Sequence, residues 1–76
     1  MGNVAYKKFR DLLVDVRKRA DLTQVELSLR LSRPQSFVSK YERGERRLDI
    51  VEFGEVAKAL GVDPVKLLAK FYRETE

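Results

Sequence analysis

Seventy-six residues, 43% of them hydrophobic, suffice for one compact core but not for a deep substrate cavity as well. The chain has neither Cys nor His, so disulfides, thiolate or imidazole metal sites, and the commonest general base are excluded; no enzyme, metal or cofactor is expected. The net charge of +4 is unevenly spread, with 12 Lys and Arg against 6 Asp and Glu in residues 1–47 and 4 against 6 in residues 48–76, so the first part would attract a polyanion.

Apolar residues recur at three and four rather than two, which predicts helix throughout. The first helix runs from about Val4 to Ala20, with Phe9, Leu12, Leu13, Val16 and Ala20 on one stripe. Asp21 and Leu22 break it. Thr23 is a good N-cap, and Glu26 three residues on completes a capping box for a short second helix ending near Leu31. Ser32, Arg33 and Pro34 form the next break, and Pro34 suits the first turn of a third helix that reaches Arg43 and stops at Gly44. Beyond the polar Glu45-Arg46-Arg47 loop, Asp49 and Glu52 form a second capping box. They open a fourth helix bearing Ile50, Phe53, Val56, Ala57 and Leu60, and Gly61 ends it. Asp63-Pro64 starts a fifth, with Val65, Leu67, Leu68, Phe71 and Tyr72. The expected fold is all-α, five helices in a single domain over residues 1–76.

Two very short helices around a three-residue turn, over about residues 23–43, make a helix-turn-helix, the arrangement that lays its second helix in the major groove of DNA. Three segments then carry a resemblance. Leu22-Thr23-Gln24-x-Glu26-Leu27, Gln35-Ser36-x-Val38-Ser39-x-x-Glu42-x-Gly44 and Ala57-x-Ala59-Leu60-Gly61-Val62, in that order, resemble the Xre/Cro family of lambda-repressor-like regulators over roughly residues 17–68. The resemblance implies a compact five-helix DNA-binding domain that usually binds its operator as a two-fold dimer.

Around the third helix, residues 100° apart place Gln35, Ser36, Ser39, Lys40 and Arg43 on a polar arc, with Val38 and Tyr41 opposite. Gln35 can offer a donor and an acceptor to adenine, and Lys40 can donate to the O6 and N7 of guanine. By resemblance, Gln35, Ser36 and Lys40 match base-reading positions and Arg43 a phosphate-contacting one; Ser39 shares the base-facing arc. Gln24 stands at a helix start whose free N–H groups suit a phosphate. The resemblance gives Gln24 a phosphate to hold and has it steady Gln35. Glu42 falls beside Val38, facing inward, where a carboxylate needs a partner. In the family that partner is an Arg of the first helix, here Arg17, so the pair is expected as a partly buried structural bridge. The resemblance lays Arg46 and Arg47 along the sugar-phosphate backbone, as phosphate anchors or minor-groove probes. Arg33 in the turn reads equally as a phosphate contact and as a solubilising charge. Phe37 lies between the two faces, to touch a thymine methyl or cover the core edge. Ser32 stands where the family often has Gly, so a positive φ there would cost about 1 kcal/mol.

The apolar residues of the fifth helix span roughly 160°, more than a core stripe requires. Val65, Leu68, Phe71 and Tyr72 therefore form a candidate two-fold interface, unless Phe71 and Tyr72 fold back over the core. The expected function is sequence-specific binding of double-stranded, pseudo-palindromic operator DNA by a homodimeric repressor of phage, plasmid or mobile-element type. A restriction–modification controller and a DNA-binding antitoxin with a toxin partner stay open, and a protein-interaction module without a DNA role is the rival from another class. No apolar run is long enough to span a bilayer and no signal peptide is visible, so a cytoplasmic protein without a membrane partner is expected.

Overall fold

The computed structural model describes residues 4–74, which form α1 (Val4–Arg19), α2 (Gln24–Leu31), α3 (Gln35–Glu42), α4 (Ile50–Ala59) and α5 (Pro64–Glu74). Side chains close the helix starts. Thr23 Oγ1 accepts from Glu26 N at 3.0 Å while Glu26 Oε1 accepts from Thr23 N at 2.9 Å, and Asp49 and Glu52 exchange the same pair of bonds at 2.7 and 3.0 Å. Asp63 Oδ1 accepts from Val65 N at 2.8 Å at the head of α5. Both capping boxes and the Asp63 start are thus as the sequence predicts.

The ends of α1 to α4 share one device. Asp21, Ser32, Gly44 and Gly61 all have positive φ, between 55° and 81°. At each, the left-handed residue donates its N–H three residues back, and the next residue donates five back: Leu22 to Arg17, Arg33 to Ser28, Glu45 to Lys40 and Val62 to Ala57. These are Schellman closures, and they satisfy carbonyls that would otherwise end unpaired. Gly44, Gly61 and the strained Ser32 are expected from the sequence; the left-handed Asp21 is not. Pro34 differs by one place, since it is the extended N-cap of α3 rather than its first helical residue.

The core draws Leu13 from α1, Leu27 from α2, Val38 and Tyr41 from α3 and Val56 from α4, all fully buried, and Leu67 from α5. Phe9 stacks its ring near Phe53 and Phe71 at centroid distances of 5.5 and 5.4 Å, joining α1 to α4 and α5. In α1 and α4 two residues leave the predicted stripes. Ala20 is exposed because α1 has already ended at Arg19, and Ile50 is 73% exposed because the first turn of α4 overhangs the core that Phe53 enters. Buried Ser28 lets α2 and α3 approach closely, its hydroxyl donating to Val25 O at 2.6 Å. Among the described residues no helix is long and apolar enough to cross a membrane.

Candidate nucleic-acid interface

α3 is held by one face and presents the other. Val38 and Tyr41 are buried, while Gln35, Ser36, Lys40 and Arg43 are exposed and Ser39 is half-buried, its hydroxyl donating to Ser36 O at 3.3 Å. The predicted polar arc is therefore one continuous surface. Phe37 belongs to the core edge: it is 7% exposed, meets Tyr41 edge-on at 5.7 Å and leaves little surface for a thymine methyl.

The expected Arg17–Glu42 bridge is present and bidentate. Arg17 Nε donates to Glu42 Oε2 at 2.7 Å and Nη2 to Oε1 at 3.0 Å, while Nη1 donates to Leu22 O at 2.8 Å. The two side chains are 11% and 5% exposed, and the Glu42 hydrogen bonds hold the Arg17 guanidinium above its ordinary pKa despite that burial. Gln24 joins them, its amide Nε2 donating to Glu42 Oε1 at 2.8 Å. This corrects one expectation. Among the described residues Gln24 makes no hydrogen bond to Gln35; its side-chain amide donates instead to the charged carboxylate of Glu42. Glu42 thereby ties α1, the start of α2 and the end of α3 together.

With Gln24 on Glu42, four of the five predicted phosphate contacts already hold a carboxylate, three of them arginines. Arg43 forks onto Glu45 through Nε and Nη2 at 2.9 and 3.1 Å, which lowers the Glu45 pKa. Arg33 Nη2 reaches Glu55 at 3.2 Å, and its Nη1 lies 3.9 Å from Glu52. Arg46 grips Glu52 end-on, Nη1 to Oε1 at 3.0 Å and Nη2 to Oε2 at 2.6 Å, and Nη1 also donates to Arg47 O at 3.0 Å. The Arg46 bonds, with the Asp49 backbone N–H, hold the Glu52 carboxyl down at about 2. Both the Arg33 and Arg46 guanidinium carbons lie over the Phe37 ring, 4.5 and 4.8 Å from its centroid. Arg47 instead covers the Tyr6 ring at 4.8 Å, and the Tyr6 hydroxyl accepts from Leu48 N at 2.9 Å. Neither Lys40 nor Arg47 has an ion pair among the described residues.

Sequence reasoning misses two residues here. Glu52 is legible as a cap but not as the partner of Arg46, although an Arg six positions before a helix-start Glu is a usable signal. Tyr6 has no signal at all, because its contact lies 42 residues away. Of the candidate interface on α5, Leu68, Phe71 and Tyr72 line an open apolar groove together with Tyr6 and Ile50, whereas Val65 is exposed outside it.

A short three-residue turn between two eight-residue helices, with an exposed polar arc on the second, defines the helix-turn-helix class. The helix-turn-helix family model HTH_3 matches residues 13–67. The chain is 38% identical over 53 residues to the uncharacterized HTH-type transcriptional regulator y4dJ of Sinorhizobium fredii, covering 70% of this chain and 69% of that protein. An XRE-family like protein from Pseudomonas syringae pv. tomato superposes with a TM-score of 0.92 at 49% identity, over 97% of this chain and 90% of that one. The restriction-modification controller protein C.Esp1396I, solved as a tetramer with its natural 35 base-pair operator, gives 0.85 at 22% identity over 96% of each chain, a likeness of fold. The chain belongs to the XRE family of helix-turn-helix transcriptional regulators.

Proposed function

We propose that this regulator is a sequence-specific repressor that binds a pseudo-palindromic operator as a two-fold dimer. The observation that carries this is the arc of α3: Gln35, Ser36 and Lys40 stand exposed on a helix clamped from behind by Val38, Tyr41 and the Arg17–Glu42 bridge. Gln35, Ser36, Ser39 and Lys40 read base edges, and Gln24, Arg33, Arg43, Arg46 and Arg47 contact phosphates. The whole chain acts as one such domain, without enzymatic activity, in the cytoplasm. One domain contacts few base pairs, so a second copy is needed for useful affinity. The α5 groove, with Leu68, Phe71 and Tyr72 beside exposed Ile50, is where that copy packs. Val65, outside the groove, belongs at most to the rim of that contact.

The fold-level likeness to a controller protein solved on its operator favours a restriction–modification controller as the particular kind of regulator. Selection of bound sites from a random duplex pool at two salt concentrations tests the reading. A palindromic consensus whose affinity falls steeply with salt supports it; binding that is undetectable or blind to sequence rejects it.

A further inference from the structure

The cluster behind α3 contains more than a cap. An arginine has five N–H donors, and in Arg46 three of them are spent: one on Glu52 Oε1, one on Glu52 Oε2 and one on Arg47 O. What remains is the Nε–H and the second Nη2 hydrogen, which lie side by side on one edge of the guanidinium plane. Such an edge is a bidentate anion fork, the geometry that matches two phosphate oxygens. The side chain is 39% exposed, and neither of these two hydrogens has an acceptor among the described residues. Arg17 shows the contrast. Its own Nε–Nη2 edge is consumed by Glu42, and that side chain is buried.

Two cations over one aromatic ring repel each other, yet Arg33 and Arg46 both lie over Phe37. Glu52 Oε2 sits between them, 2.6 Å from Arg46 Nη2 and 3.9 Å from Arg33 Nη1. Its charge is what allows the pair to share the ring. The ring itself belongs to α3, two residues from Gln35 and three from Lys40. We propose that Glu52 is a positioning residue for DNA binding: it turns the free edge of Arg46 toward a backbone phosphate and fixes that edge in register with α3 through Phe37. This rests on the DNA-binding reading above.

The sign of the effect separates this role from plain charge. A carboxylate near DNA repels it, so removing the charge should tighten binding if Glu52 acts only through its field. Positioning predicts the opposite. Glu52→Gln is the suitable variant, because Gln at this place still completes a capping box with Asp49. Binding is measured by fluorescence anisotropy on a labelled duplex of mixed sequence, across a salt series, after thermal denaturation confirms that each variant is folded.

Glu52→Gln should bind roughly tenfold more weakly, and its log–log salt slope should fall by about 0.9, the loss of one phosphate contact. Arg46→Ala should do the same, and the double variant should be no weaker than Arg46→Ala alone. A purely structural role would not produce that non-additivity in binding by folded protein. If Glu52→Gln fails to fold, Arg46→Lys replaces it, keeping the charge but lacking the planar edge, and should also bind about tenfold more weakly. Tighter or unchanged binding by Glu52→Gln, or full binding by Arg46→Lys, overturns the proposal while leaving DNA binding intact. Failure of the unaltered protein to bind any duplex would instead reject the reading beneath it.

Discussion

Glu42 joins three helices, accepting from Arg17 twice and from Gln24 once. Replacing it with Ala strands the Arg17 guanidinium in a site where it is 11% exposed. The expected loss is about 3 kcal/mol in urea denaturation, larger than for either exposed pair on α1. A loss below about 1 kcal/mol would mean the bridge is no stronger than a surface pair. Tyr41 presents the reverse case. Its hydroxyl is buried without a hydrogen-bond partner, and burial, helped by the nearby Glu42 charge, pushes the phenol pKa well above its ordinary value. The folded state therefore keeps a proton that the unfolded chain gives up near pH ~10. Stability from this group is complete below that pH and declines as pH rises beyond it. Tyr41→Phe should be neutral or stabilising at pH 7 and should flatten the decline between pH 9 and 11, read from denaturation midpoints. An identical decline in both proteins would place the alkaline sensitivity elsewhere.

At the scale of elements, the turn between α2 and α3 sets the angle at which the arc is offered, and Ser32 holds it with φ of 55°. Ser32→Gly should stabilise the protein by about 1 kcal/mol, since Gly adopts this conformation without a Cβ penalty. Gly44→Ala should destabilise by at least as much. Its φ is 81°, and the new Cβ would come within 2.7 Å of Arg10 Cζ, forcing that side chain to move. Melting temperatures of the two variants should move in opposite directions; a shared direction would refute the argument. This level was also the most legible in the sequence. Caps such as Thr23–Glu26 and Asp49–Glu52, and stops such as Gly44 and Gly61, act through residues within five positions of each other. The wheel of α3 likewise separates Val38 from Lys40 correctly. What it does not reveal is what each face meets: Arg33, Arg43 and Arg46 are candidate phosphate contacts in the sequence, and in the structure all hold carboxylates, Arg33 and Arg46 those of α4. Ile50 follows the apolar period of α4 yet is exposed, because period identifies a stripe and not how far the core extends beneath it.

The molecule as a whole carries two distinct surfaces, the exposed polar arc of α3 with the arginine loop after it, and an apolar groove formed by α1, α4 and α5. Tyr6 touches both, lining the groove while holding Leu48 and covering with its ring the guanidinium of Arg47. If the groove takes a second copy, Tyr72→Glu should prevent it without disturbing the fold, since Tyr72 is 61% exposed. Sedimentation equilibrium should give a monomer, and DNA titrations should lose their dependence on protein dimerisation. A dimer that survives this change would move the interface off the α5 groove.

The four left-handed helix ends also bear on time. Each closure is made by backbone bonds reaching no more than five residues back, so every one of these helix ends depends on residues close to it in the sequence. Helical bundles built on such near-in-sequence contacts fold in microseconds to milliseconds. Folding of this chain should therefore be complete within milliseconds, a range that stopped-flow refolding would check.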